Sequence, residues 1–406
     1  RFDSMWNDKN VVAPQESGKI VLVLTNLTIN PLEKEETTMY YVGADLHKEQ
    51  TWFYIMDKNG IKIDSKSIAN SPDSLNNYFV TIPRPFTLAV EATYDWYFFM
   101  DIAGQFAQTA YLANSYELKA FAKRHKKTDK IDACLIANIL RKGFLPAVFI
   151  PDQSIRQLKE LLHHRINIVR DRSRNILRLK NTLDKLGADS EGDFTTEKRL
   201  RSIPANSLPE YSRYVVTGYV EQIVQLSQRI HSMKTYLKNK LLNDKEIQNL
   251  ITIDGLDYFS AALIKSEIAD INRFASFNRL SAYAGLAPRV SQSGNKAAHH
   301  GALMINRRKN LQWILLETTF HFIRASTRRK ERYEELKERK GANTAKVVMA
   351  RQMLKVIYHV LKEQRPYYND NDAKEVEPVN QIQPVAAAAL WGVWSIRYTD
   401  SFIRFD

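Results

Sequence analysis

The hydrophobic period of this chain changes near residue 150, and that change constrains its fold more than any other feature. Between Tyr40 and Ile150 apolar residues come in short runs separated by turn signals, the pattern of strands and short helices. From Asp152 to Leu186 they recur at spacings of three, four and seven with no glycine or proline, the pattern of one long helix. Such a chain forms an α/β domain followed by helices, not a uniform bundle or sandwich.

The first half has a readable order. Tyr40–Lys48 (YYVGADLHK) reads as a short apolar strand ending in Asp45. Thr51–Ile68 holds two β-rich runs around Asn59-Gly60, a strong hairpin signal. Ser74–Val80 suits a short helix entered through Ser71-Pro72, and Thr87–Ala92 (TLAVEA) a buried strand ending near Glu91. Phe98–Gln108 has helical spacing, Ala110–Asn114 is a short strand, and Asp129–Leu140 is a helix. A hairpin beside the first strand, followed by α/β alternation, is the order of an RNase-H-like fold.

In the long helix, Leu158, Leu161, Leu162, Ile166, Val169, Ile176, Leu177, Leu183 and Leu186 form the apolar stripe. Its polar face is strongly basic and includes Arg170, Arg174 and Arg178. A loop, Gly187–Pro209, leads to a second helical stretch, Glu221–Leu242, with Ile223, Leu226, Ile230, Met233 and Leu237. Two such helices predict an antiparallel coiled-coil arm that also serves dimerisation; a plain helical bundle is the alternative. Residues 247–365 are helical again, broken by Gly255 and by an irregular loop, Gly285–Gly301. The expected organisation is an appended segment at 1–38 with Met39 an alternative start, an α/β domain at 39–150, an arm at 151–246, a mainly helical C-terminal domain at 247–368 and a tail at 369–406.

Charge narrows the partners. The formal net charge is +14, with −2 in residues 1–38 and −3 in 369–406, which leaves +19 in 39–368. A concentrated basic excess points to a polyanion, with nucleic acid the default. The mean hydropathy is −0.39 and the uncharged apolar runs are short, so no membrane span is expected. A single cysteine, Cys134, excludes an internal disulfide and a cysteine zinc cluster. No secretion signal is recognisable, and a cytoplasmic location is the expectation.

Four carboxylates form the strongest candidate site. Asp45 and Glu91 sit at or near strand ends in apolar surroundings, where an ionised carboxylate needs a compensating cation or donor. Asp129 and Asp132 are three apart and share a helix face. Hard oxygen ligands of this kind suit Mg²⁺ or Mn²⁺, which act on phosphate. The plainer reading is four ordinary acids, two of them a helix pair. Basic residues flank the set, including Lys126 and Lys127.

Two further segments carry weaker signals. Ile253–Asp257 (IDGLD) between helices resembles a helix-hairpin-helix turn that offers N–H groups to phosphate, although Asp257 would repel one. The loop Pro288–Lys296 holds Ser291 and Ser293 beside Gly294 and Lys296, with Arg307 and Arg308 beyond. A serine there could attack a phosphodiester. A polar or flexible loop is the plainer alternative.

Val42–Asp45, Val90–Thr93, Lys127–Ala133 and Ile136-Ala137 resemble the DEDD transposases of bacterial insertion sequences, the RuvC-like IS110 class also called bridge-RNA-guided recombinases. Ile253–Gly255, Glu267–Ile271, Arg273–Phe277 and Leu280–Pro288 resemble that family's second block, and Tyr333–Tyr367 its closing helices. The resemblance spans roughly 39–368. It departs at Tyr94, where the family often has glycine, and at Lys309-Asn310 and Trp313-Ile314 after the serine loop. It implies a metal-binding tetrad of Asp45, Glu91, Asp129 and Asp132, and a nucleophilic serine at Ser293, with Ser291 its rival. It further implies a non-coding guide RNA that pairs with element-end and target DNA, and a homo-oligomer, dimer or tetramer. The expected activity is a DNA transposase or recombinase that mobilises its own insertion sequence. The expected nucleic-acid contacts are Lys126, Lys127, Arg170, Arg174, Arg178, Lys296, Arg307 and Arg308. The rivals are a Holliday-junction-type nuclease without covalent serine and a non-catalytic nucleic-acid-binding relic. An actin-like sugar kinase would need clustered glycines, but Gly43, Gly60, Gly104 and Gly143 are scattered.

Overall fold

The computed structural model describes residues 38–121, 128–291, 299–303 and 307–368. The chain divides into two compact units, up to Ile150 and from Pro151 onward.

The first unit is a six-stranded sheet with helices on both faces. In chain order it comprises β1 (Tyr40–Leu46), β2 (Gln50–Met56), β3 (Lys62–Ala69), α1 (Pro72–Thr81), β4 (Phe86–Glu91), α2 (Trp96–Ala103), β5 (Thr109–Ala113), α3 (Ser115–Leu118), α4 (Asp129–Arg141) and β6 (Ala147–Val148). The strand order is β3-β2-β1-β4-β5-β6. β1 pairs antiparallel with β2, β2 antiparallel with β3, and β1, β4 and β5 run parallel. This mixed order is consistent with the RNase-H-like fold expected from the sequence. The hairpin turns at Asn59-Gly60, where Gly60 has φ +86°, a conformation glycine adopts without strain.

Strand alternation divides the burial between the two faces. Val42, Ala44, Leu46, Leu88 and Val90 point to one side, under α1 and α2, with Phe53, Phe79, Phe86 and Phe99 in the same core. Gly43, Asp45, Ala89 and Glu91 have the opposite parity. On that side Ala89 and Ala113 join Ile136, Ile139 and Leu140 of α4.

The second unit is mainly helical. It begins with α5 (Gln153–Lys185), α6 (Glu197–Arg201), α7 (Glu210–Leu241), α8 (Lys245–Ile251), α9 (Tyr258–Ile268) and α10 (Phe277–Tyr283). A two-stranded ribbon, β7 (Pro288–Ser291) and β8 (His299–Leu303), precedes α11 (Lys309–Arg324), α12 (Thr327–Lys340) and α13 (Ala342–Glu363). No helix among the described residues is long and apolar enough to cross a membrane.

The helices α5 and α7 pack together along their lengths. At one end Leu162, Ile166, Leu237 and Leu241 merge into the main helical core with α8, α9, α11 and α13. At the other, Leu179, Leu183, Val216 and Ile223 enclose Phe194, Leu200, Ile203 and Leu208 from the connection. The chain therefore runs antiparallel between the two helices. The segment expected as a plain loop, Gly187–Pro209, contains α6 and a short 3-10 turn over its own small core, and α7 starts at Glu210 rather than near Glu221. Pro209 accounts for that start, because a helix tolerates proline at its entrance. Leu177, expected in the apolar stripe, is 45% exposed, and Leu179 is buried instead. A position adjacent to Ile176 is rotated by about 100° and leaves the stripe, whereas three residues on returns to it. Within the segment expected as an irregular loop, Gly285–Gly301, the described residues form the β7–β8 ribbon, with Ser291 paired to His299.

Candidate metal and phosphate site

The acidic site is made by one close approach. A Cβ on Gly43 would lie 2.1 Å from the Ala133 carbonyl oxygen and 2.5 Å from Ala137 N. Only glycine lets α4 come down on β1 at this point, and small residues at Ala133 and Ala137 meet it. Asp129 and Asp132 lie on the same helical stripe as Ala133, Ile136 and Ala137, so seating that stripe carries both acids toward the end of β1. The Thr128 hydroxyl accepts a hydrogen bond from Ile131 N at 3.3 Å and fixes where the helix begins. Asp129 and Asp132 occupy its first turn, where unpaired N–H groups favour negative charge.

Asp45, two residues from Gly43, shares its face and is buried. His47, two further on, continues the same parity. Its Nε2 lies 3.1 Å from Asp45 Oδ2 and 3.4 Å from Asp129 Oδ1. Ligand atoms of Asp45, His47 and Asp129 fall within 4.8 Å of one another. Burial pushes the Asp45 carboxyl above its ordinary range. The charge and hydrogen bond of His47 oppose that rise, and the neighbouring Asp132 and Asp129 charges add to it.

This donor set fits a divalent cation. Carboxylate oxygens suit Mg²⁺ or Mn²⁺, and an imidazole nitrogen extends the range toward softer first-row metals. Glu91 ends β4 immediately after Val90, the residue registered with Ala44 on β1, which makes it the strand neighbour of Asp45. It is not within the 4.8 Å group. His47 was not singled out in the sequence. The available signal was its strand parity with Gly43 and Asp45.

The other expected contacts are dispersed. Lys126, Lys127, Ser293 and Lys296 lie outside the described residues. Arg170, Arg174 and Arg178 are exposed on α5, Arg174 paired with Asp171 and Arg178 bonded to Asn175 Oδ1 at 3.5 Å. Arg307 packs against Gly285, where a Cβ would come within 2.5 Å of its own Cβ, and the Arg308 guanidinium lies 5.1 Å from the Tyr283 ring centroid. The turn between α8 and α9 is occupied by its own chain. Asp257 caps α9 through Ser260 N at 2.8 Å, and Gly255 packs against Thr318, His321 and Phe322 of α11.

A second buried carboxylate, also not singled out, is Glu267 on α9. It accepts a hydrogen bond from Lys159 Nζ at 2.7 Å and lies 3.2 Å from His163 Nε2, which in turn meets Asn310 Nδ2 at 2.8 Å. Burial raises the carboxyl, but the His163 hydrogen bond and the Lys159 charge and bond outweigh it and hold it at about 2. This cluster ties α5, α9 and α11 together.

Comparison with known proteins matches two separate blocks of the chain, the first of which runs across the Ile150–Pro151 boundary. Residues 42–187 match a transposase family of the DEDD, IS110 type, and residues 247–334 match the transposase IS116/IS110/IS902 family. The chain is 26% identical over 280 residues to the transposase for insertion sequence element IS1328 of Yersinia enterocolitica, covering 68% of this chain and 81% of that protein. It is 26% identical over 271 residues to the IS1111A transposase of Coxiella burnetii, covering 63% and 72%. It is 24% identical over 266 residues to the pilin gene-inverting protein of Moraxella bovis, covering 63% and 73%.

Proposed function

The chain belongs to the IS110 family of transposases, and on that premise we propose that it cuts and rejoins DNA to move its own insertion sequence, using the Asp45 cluster and a serine nucleophile. The relatives' transposase and gene-inverting names support DNA recombination as the general activity. The observation that carries the proposal is the seating of α4 on Gly43, which brings Asp129 to Asp45 and His47.

In this reading Asp45, Asp129, Asp132 and Glu91 would hold the cation, and His47, which lies beside Asp45 and Asp129, would be available as a further ligand. When bound, Mg²⁺ or Mn²⁺ supplies positive charge against the scissile phosphate and lowers the pKa of an attacking hydroxyl. The chain's part is to fix the carboxylates: Asp45 by β1, and Asp129 and Asp132 by the capped first turn of α4. The Ser293 hydroxyl attacks the phosphodiester. An Oγ–P bond forms, the bond to the leaving deoxyribose oxygen breaks, and that oxygen departs with a proton. The phosphoserine link keeps the ester for rejoining to a new strand end. Arg170, Arg174, Arg178, Lys126, Lys127, Lys296, Arg307 and Arg308 hold nucleic-acid phosphates. A homo-oligomer, dimer or tetramer, lets the acidic cluster of one copy meet the serine of another. A non-coding RNA selects the site by pairing with element-end and target DNA in the bacterial cytoplasm.

Incubation of the full chain with element-end DNA and Mn²⁺, followed by a denaturing gel, tests this. A protein–DNA adduct is expected, lost in Ser293→Ala, with a lesser effect of Ser291→Ala. Asp45→Asn and Asp129→Asn are expected to abolish strand cleavage while the fold, followed by circular dichroism, is kept. Cleavage without an adduct in all serine variants and in the wild type would replace the proposal with a water-using nuclease.

A further inference from the structure

Beside the acidic cluster lies a cavity of about 460 Å³, lined by Leu46, His47, Lys48, Thr93, Tyr94 and Asp95. It exists because β1 and β4 are adjacent and parallel, so the segments leaving their ends emerge side by side. His47 belongs to both the cavity and the cluster, which makes the two continuous.

Three features of this cavity have no role in holding a cation. Tyr94 is 97% exposed, an aromatic ring left in solvent at the lip of the cavity. Thr93 Oγ1 is buried yet has no hydrogen-bond partner. Asp95 stands at the N-cap of α2 without bonding its N–H groups, which leaves its carboxylate as an acceptor. The turn carrying all three is anchored. Ala92 N donates to Ala113 O at 2.9 Å, Thr93 N to Glu91 O at 2.8 Å, and Ser115 Oγ to Ala92 O at 2.9 Å. Tyr94 is therefore mounted beside a fixed turn.

We propose that Tyr94 is a stacking platform for an unpaired base next to the DNA phosphate at the acidic cluster, with Lys48 holding the neighbouring backbone phosphate. Every base presents a π-face, so one exposed ring serves any sequence, and such stacks carry much of the affinity of single-strand sites. The Asp95 carboxylate supplies an acceptor for the base edge. A base drawn out here leaves the duplex locally open at the point of cutting. The inference rests on the proposed function, because it takes the cluster to act on DNA phosphate.

The test uses the full chain, a single-stranded oligonucleotide containing 2-aminopurine, and an abasic backbone of equal length, at one salt concentration and without catalytic metal. Tyr94→Ala is expected to weaken binding to the base-bearing strand about tenfold, within what one base–aromatic stack contributes. It is expected to leave the abasic backbone unaffected and to remove the quenching of 2-aminopurine fluorescence. Tyr94→Phe, which keeps the ring, is expected to bind like the wild type. Equal binding of both probes by Tyr94→Ala and the wild type overturns the platform while leaving the cleavage chemistry standing, because no cleavage is read. Full cleavage by Asp45→Asn instead overturns the proposed function, and with it the placement of the base beside a scissile phosphate.

Discussion

Asp45 in the first unit and Glu267 in the second are both carboxylates taken out of water, 5% and 4% exposed. Their surroundings are opposite. Glu267 meets Lys159 and His163, which more than offset its desolvation and hold it at about 2. Asp45 meets two further acids and a single, half-exposed histidine, and its carboxyl is pushed up. The fold completes one charge and leaves the other wanting a cation. Burial of a charge is thus no mark of function by itself, since ion-pair networks bury charge too. The distinguishing mark is whether the chain itself supplies the counter-charge.

The largest effect that separates the two sites is a reversal. Asp45→Asn should remove cleavage yet leave stability in the absence of divalent metal unchanged or raised, because it deletes an uncompensated buried charge. Glu267→Gln should do its harm in stability instead. It leaves the partly buried Lys159 without its counter-charge, a loss of roughly 3–5 kcal/mol for breaking a buried ion pair. Denaturant melts of both variants check this, and equal stability losses would erase the distinction. Mn²⁺ should raise the melting temperature of the wild type and not of Asp45→Asn.

A smaller effect follows with pH. The Glu267 carboxyl lies below its ordinary value of 4.5, at about 2, so its contribution is fully present above pH 4.5. It is lost as pH falls from there toward 2, by at most about 1.4 kcal/mol per unit. Asp45 has the opposite sign. Its raised carboxyl makes the native state hold its proton longer, so its contribution declines as pH rises above 3.8. Lys159→Met should flatten the acid limb of the stability profile. An unchanged limb would mean that Lys159 does not hold Glu267 down.

These differences also show what the sequence makes legible. Asp45, Asp129 and Asp132 stood out because their local settings are unusual: a strand end in apolar residues, and a helix pair with one face. The strand and helix order was readable for the same reason, since period and turn residues are local. His47 was passed over although its partner Asp45 is two residues away, whereas Glu267 was hidden because its partners are remote. Glu267 is 108 residues from Lys159 and 104 from His163, and no spacing rule links them. The α6 segment and the β7–β8 ribbon were missed because both are short, and their burial or pairing comes from tertiary context.

Gly43 offers a subtler probe of the same contrast, because it positions the incomplete site without belonging to it. Gly43→Ala places a Cβ against the backbone of α4, which no side-chain rotation relieves. A cost of about 1–3 kcal/mol is expected for such overpacking. The displaced helix should also weaken Mn²⁺ binding, read by calorimetry, while Lys159 and Glu267 hold the second unit as before. Unaltered metal affinity would mean that the approach of α4 does not set the cluster.

The smallest expected effect extends the comparison to positive charge. Arg156 is 6% exposed and donates to the Pro151 carbonyl at 3.2 Å, a cation the chain has satisfied for itself. Arg170, Arg174 and Arg178 recur every four residues on α5 and are exposed. Their internal partners are few: Arg174 pairs with Asp171, and Arg178 bonds Asn175. An exposed pair of that kind is worth little and leaves a cation able to exchange its partner for phosphate. If the counter-charge rule holds for cations, these three arginines are completed by DNA or RNA. Each phosphate neutralised releases condensed counterions, so the logarithm of affinity falls with the logarithm of salt by about 0.9 per duplex phosphate contacted. Replacing all three with Ala should reduce the magnitude of that slope by roughly 2–3 and weaken binding more at low salt than at high salt. Cleavage of saturating substrate should persist, because the acidic cluster is untouched. A slope identical to that of the wild type would make this face a solvated surface and confine the rule to the buried carboxylates.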